Sequence, residues 1–232
     1  AKNISFFSMR TKTDADRVLG LGVDPEKVRV NGNIKFDVLV SGEDISSLEN
    51  QESNWVVYGS TRPGDEGVVM ESIIKLSQEY PRLKFVIAPR HLERLREVKE
   101  LMVTYGIEFQ LHSERLGSGN SRLVLLDRLG ELNKYYAKAC LAFVGGGFNP
   151  RFGGQNIIEP ASFGLPVVFG KHMNNFEEEA RLLVESGGGI QLNSPEELHG
   201  VFNQLLTDQE ERQRLGKKAL ETVVKNRGAV NK

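Results

Sequence analysis

Short apolar segments alternate with polar-faced segments of 8–15 residues along most of this chain, and that alternation restricts its fold more than any other feature. Strands are predicted over 55–58, 83–88, 108–111, 123–126, 141–144, 166–169 and 190–192. Between them lie helices predicted over 66–80, 92–105 and 176–186, and one that ends near Ala139. A final helix is predicted over 208–225. The strands are nearly all apolar rather than alternating, as expected when both faces of a sheet are covered. Strand–helix–strand repetition of this kind builds right-handed crossovers and a parallel sheet. From about residue 54 the reading is therefore one α/β domain, a Rossmann-like doubly wound parallel sheet.

The segment before it is less regular. Residues 4–9 read as the end of a strand, Thr13 as the cap of a helix over 14–21, and 28–30 as a short strand. Residues 38–53 lack a clear period and read as a linker, so 1–37 and 54–232 are separate units. The first residue is Ala1, not Met, and the chain reads as a piece of a longer one. Ser194-Pro195-Glu196-Glu197 is a helix start, with Ser at N-cap, Pro at N1 and Glu at N3.

In a doubly wound sheet, ligands sit at the carboxyl ends of the strands, where strand order reverses. Four loops leave such ends, over 59–64, 89–91, 127–130 and 145–155. The last follows the apolar strand 141–144 and reads Gly145-Gly-Gly-Phe-Asn-Pro-Arg-Phe-Gly-Gly-Gln155. It opens onto a short helix predicted from Asn156, with Glu159 in its first turn. A tight glycine loop and a helix N-terminus together present backbone N–H groups to an anion. A carboxylate in that turn does not serve the anion, but it suits a sugar diol. The combination points to a nucleotide-sugar site.

Each candidate residue also has a plainer reading. Arg90 can fork onto a phosphate or lie solvated on the surface. Gly146 and Gly147 allow close ligand approach or merely a turn. Ser60 and Thr61 suit an anion or the start of a helix. Glu131 can complement a helix dipole. Asn156 and Glu159 can form a capping pair, which would occupy the carboxylate.

Composition excludes several classes. The net charge is −1, so bulk electrostatics does not favour nucleic acid. The single cysteine, Cys140, rules out an internal disulfide framework and reads as buried and inert. The four histidines show no metal-ligand spacing, and no metal or cofactor is expected. No apolar run approaches the roughly 20 residues that span a bilayer. G-x-S-x-G, a P-loop lysine and a dinucleotide fingerprint are all missing.

Taken together, several motifs resemble the Kdo (3-deoxy-D-manno-octulosonic acid) transferases. They are 88–91 (Ala-Pro-Arg-His), Asp127-x-x-Gly130-Glu131-Leu132, Val144-Gly145-Gly146, 153–170 and 172–176 (His-Met-Asn-Asn-Phe). Residues 14–22 and 31–37 match in the same order, so the resemblance covers nearly the whole chain. It implies one half of a GT-B glycosyltransferase, the half that binds the donor, with 1–37 closing the other half. It implies metal-independent transfer of Kdo from CMP-Kdo to lipid A precursor in lipopolysaccharide biosynthesis, at the cytoplasmic face of the inner membrane. Pro89 and Arg90 would meet the CMP phosphate, and Leu129, Gly130 and Glu131 the nucleotide. Asn156, Ile157, Ile158 and Glu159 would hold it at the helix start, with Glu159 on the ribose. Ser60, Thr61, Gly146, Gly147 and Gln155 are further donor-binding candidates. The general base, the acceptor site and the membrane-associating segment would lie in the other half, so the piece is expected to be inactive alone and to bind CMP weakly. Where the family motif has His and Pro-Leu, this chain has Gln155 and Ile157-Ile158. A transferase using a UDP-sugar and a non-catalytic nucleotide-binding module are the alternative readings.

Overall fold

The computed structural model describes residues 3–37, 53–114 and 121–231. Nine strands are found among these residues. β1 (Phe7–Met9) and β2 (Val28–Val30) form a parallel pair joined through α1 (Lys12–Gly20). β3 (Trp55–Thr61), β4 (Lys84–Pro89), β5 (Gln110–Leu111), β6 (Leu123–Leu125), β7 (Ala139–Val144), β8 (Val167–Gly170) and β9 (Gly189–Leu192) form a seven-stranded sheet. Its order is β5-β6-β4-β3-β7-β8-β9, and every pairing is parallel. The chain moves outward from β3 on one side and then returns to β7 on the other. The order therefore reverses between β3 and β7, so the loops after these two strands flank the switch point.

The apolar strands reflect burial on both faces. Val56 and Tyr58 of β3 join one core layer with Leu141 and Phe143 of β7. That layer is closed by α2 (Asp65–Glu79), α3 (Leu95–Thr104) and α7 (Glu197–Thr207). Trp55 and Val57 point the other way, toward Tyr135 and Tyr136 of α4 (Leu132–Tyr136). A third cluster lies beneath α5 (Ile158–Ser162), α6 (Glu177–Ser186) and α8 (Gln209–Lys225). In α2, Val69, Met70, Ile73 and Leu76 form the buried stripe that a 3.6-residue period places on one face.

Several predicted boundaries shift for local reasons. Thr11, not Thr13, caps α1, its hydroxyl accepting from the Asp14 N–H at 3.0 Å. α4 stops at Tyr136 because Ala139 is already paired with Trp55 as the start of β7. Ahead of α7, Glu197 N–H bonds Ser194 O and Leu198 N–H bonds Pro195 O, three residues back in each case. The α-helix proper begins only at Glu197, whose carboxylate accepts from Asn193 N–H at 3.1 Å. Of the predicted linker, all but Ser53 lies outside the described residues.

The end of the first segment packs onto the seven-stranded domain. Phe36 is 2% exposed within the cluster under α5, α6 and α8. Asn33 donates to the buried Glu179 carboxylate at 2.8 Å, and Lys35 approaches it at 3.3 Å. Asp37 accepts the Gly228 and Val230 N–H groups just beyond α8, and these bonds hold its carboxyl below the usual range.

Candidate donor site at the switch point

A cleft of about 420 Å³ opens at the carboxyl ends of the strands. All four predicted loops reach it. The end of β3 contributes Ser60, β4 and its loop Pro89 and Arg90, the loop after β6 Arg128, Leu129 and Gly130, and the glycine-rich loop Gln155. Asn156 and Glu159 complete one wall. Leu92, Leu126, Leu132, Asn133 and Phe176 also line it, and the sequence pattern did not single them out as site residues. Their side chains belong to strand ends and helix faces that look structural in one dimension. Thr61, Glu131, Gly146, Gly147, Ile157 and Ile158 are not among the lining residues.

The glycine-rich loop is held from within. Gly145 N–H donates to Gly59 O, and Gly154 N–H to Gly146 O. Gly146 takes a φ of +81°, and its N–H donates to the Asp65 carboxylate at 2.7 Å. The same oxygen accepts the Arg62 N–H at 2.8 Å. Three of the loop's N–H groups are thus committed to the protein rather than left bare. Burial pushes the Asp65 carboxyl up to about 6, against the pull of these two bonds. Gly147 answers a packing demand: a Cβ there would lie 2.8 Å from Gly170 N, because the loop crosses directly over the end of β8. Asp65 went unnoticed in the sequence because its partner lies 81 residues further on.

Arg90 is exposed and makes no ion pair among the described residues. Its own N–H donates to Thr61 O at 3.0 Å, tying the end of β4 to the end of β3. Behind it, Arg94 bonds the buried Glu66 at 2.6 Å and also Glu97, which fixes the start of α3 against α2. Asp127 accepts the Ser113 N–H at 2.9 Å and anchors the loop that carries Leu129 and Gly130. Glu131 turns aside to Lys134, at 2.8 Å, and lies 3.5 Å from His112.

The helix after the glycine-rich loop begins at Ile158 rather than Asn156. Asn156 Oδ1 accepts from Ile158 N–H at 3.1 Å, and Asn156 Nδ2 donates to Glu159 Oε1 at 3.0 Å. Only part of a capping pair forms, because the carboxylate bonds a side-chain amide and not the Asn156 backbone. Glu159 Oε2 keeps no protein partner among the described residues. Burial raises the Glu159 carboxyl, while the Asn156 bond and the Arg90 charge oppose the rise. Ile157 and Ile158 are fully buried beneath this turn and support it. Cys140 donates its thiol to Trp55 O at 3.2 Å, and burial pushes it up to about 11. Among the described residues no group of three or more His, Cys, Asp or Glu side chains could hold a metal ion. Within the same residues, no helix is long and apolar enough to cross a membrane.

No family model matches the chain. Individual proteins do. A 3-deoxy-D-manno-octulosonic acid transferase of Haemophilus influenzae is 33% identical over 99% of this chain and 55% of its own length. The chain spans about half the length of the curated relatives it matches. The crystal structure of the C-terminal CMP-Kdo binding domain of WaaA from Acinetobacter baumannii is similar at a TM-score of 0.68 and 26% identity, covering 76% of this chain and 91% of that one. Anabaena HepE, solved with UDP and glucose, shares the fold at a TM-score of 0.61 and 18% identity, over 98% of this chain and 60% of its own. In sequence and in fold alike, the chain belongs with the Kdo transferases, as a counterpart of their C-terminal half.

Proposed function

We propose that this chain is the donor-binding half of a glycosyltransferase that moves Kdo from CMP-Kdo onto a lipid A precursor in lipopolysaccharide biosynthesis. The observation that carries the reading is the meeting, in one switch-point cleft, of an exposed Arg90 and a Glu159 carboxylate oxygen, neither of which has a side-chain partner among the described residues. The guanidinium suits the phosphate, and the carboxylate suits the ribose diol. Pro89, Leu129, Gly130 and Asn156 frame the nucleotide between them.

In this mechanism the acceptor hydroxyl oxygen attacks the anomeric carbon while the bond from that carbon to the phosphate oxygen breaks. CMP leaves as a phosphate monoester, which needs charge stabilisation and no proton. Arg90 supplies that charge at the oxygen where it develops. No step calls for a metal ion. The base that takes the hydroxyl proton, and the acceptor site at the membrane face, belong to the portion of the relatives that this chain does not span.

Calorimetric titration tests the reading. CMP is expected to bind this chain and to outcompete UMP and UDP. Equal or better competition by the uridine nucleotides would overturn it. Joined to the other half, the protein is expected to transfer Kdo equally well in the presence of a metal chelator.

A further inference from the structure

Arg62 is a cation whose guanidinium makes no ion pair among the described residues, the nearby Asp65 carboxylate being bonded to backbone N–H groups instead. Arg62 follows β3, and its guanidinium lies over the Phe152 ring, 4.8 Å from the centroid. Its Cγ stands 3.4 Å from where a Cβ on Gly146 would be, and the Gln155 amide stands 3.2 Å from the same point. Gln155 and Ser60 line the cleft, and Arg62, two residues beyond Ser60, stands beside Gln155 at the glycine loop without being one of the lining residues. Its Nε is shut off from solvent and has no acceptor, and the adjacent Thr61 hydroxyl is buried with no partner either. Arg94 nearby is matched by Glu66 and Glu97, whereas Arg62 makes no side-chain ion pair among the described residues. Burial pulls its guanidinium below the usual value, the Arg90 and Arg94 charges pull the same way, and the Asp65 charge opposes them. The strand end that presents Arg62 carries Ser60, a non-glycine residue at φ +54° where the register of β3 slips. Strain of this kind persists where the surroundings enforce it, and it concentrates at ligand sites.

A CMP-Kdo donor carries two anions, the phosphate and the carboxylate of the acid sugar. Both are attached to the anomeric carbon, so they need two cations close together. Arg90 and Arg62 stem from adjoining strand ends, the Arg90 N–H bonding the carbonyl of Thr61, the residue before Arg62, at 3.0 Å, and their charges repel. We propose that Arg62 is a second anion subsite that takes the sugar carboxylate, leaving Arg90 to the phosphate. This rests on the reading of the cleft as a CMP-Kdo site. It also assigns a chemical reason for selecting an acid sugar over a neutral one, since a neutral sugar would leave Arg62 desolvated and unpaired.

The test is calorimetric binding of CMP and of CMP-Kdo to the wild type, R62A and R62Q at one ionic strength. R62Q retains part of the stem over Phe152, and thermal melts of each protein report folding. The expected result is unchanged CMP affinity with CMP-Kdo weakened about tenfold or more in both variants. Equal loss for the two ligands would make Arg62 part of the nucleotide site, and no loss for either would make it structural; each overturns the subsite alone. A wild-type chain that binds neither ligand overturns the reading of the cleft and the subsite with it.

Discussion

At the scale of single residues, the cleft depends on groups left with spare bonding capacity. Arg90 makes no ion pair among the described residues, so its charge is available to a ligand. In the intact enzyme, R90A is expected to lower turnover about 10²–10³-fold, the equivalent of about 3–4 kcal/mol lost from a charge-stabilising contact. Near-normal turnover would remove Arg90 from the phosphate site. Glu159 spends one oxygen on Asn156 and keeps the other. Replacing it with Ala is expected to weaken CMP by about 1.5–3 kcal/mol, the usual worth of a hydrogen bond to a charged group. An E159A titration indistinguishable from wild type would return this carboxylate to a purely capping role. Both residues were legible in the sequence, because an Arg just past a strand and a carboxylate in the first turn of a helix are local patterns. Arg62 was not, since its lack of a partner depends on where Phe152 and Gly146 end up.

At the scale of elements, Asp65 joins the start of α2 to the loop after β7. Its folded-state value of about 6 lies above the ordinary 3.8, so folding takes up a proton between those limits. The resulting stability is fully present below pH 3.8 and is lost as pH rises through about 6, a swing of about 3 kcal/mol. D65N keeps an oxygen able to accept both N–H groups and has nothing to titrate. Its melting temperature is expected to stay flat across that window where wild type declines, after allowing for other carboxylates. A D65N profile parallel to wild type would exclude Asp65 as the source. The crossing of the glycine-rich loop over β8 makes a second demand. A Cβ on Gly170 would lie 2.4 Å from Gly147 C, where neither backbone can yield. G170A is therefore expected to cost about 1–3 kcal/mol or more in urea unfolding, and a change under about 0.5 kcal/mol, the range of ordinary surface substitutions, would contradict the contact.

At the scale of the whole molecule, the first 37 residues and the seven-stranded domain share a seam. Phe36 enters the core cluster under α5, α6 and α8, while Asn33 and Lys35 meet Glu179. Lys35 also stands over the Phe176 ring, 4.0 Å from its centroid, and Phe176 lines the cleft. The seam therefore reaches the edge of the cleft. F36A is expected to destabilise the chain by about 3–5 kcal/mol, as truncation of a buried Phe generally does, read as a lower denaturation midpoint. A midpoint equal to wild type would mean that Phe36 does not belong to the core. The seam was invisible in the sequence, where 31–37 read as a turn and a family motif, not as core.

Periodicity along the chain was enough to establish the sheet, its parallel sense, the covering of both faces and the edge on which the four loops gather. These follow from local spacing, because each strand and helix must bury its apolar side wherever it lies. The allocation of hydrogen bonds at the site was settled only in three dimensions. Gly146 N–H went to Asp65, Gly147 packed against Gly170, and Glu159 kept one oxygen free. A donor or acceptor is spent or spare according to which groups tertiary folding brings within 3 Å, and residues 81 positions apart carry no local sign of that meeting.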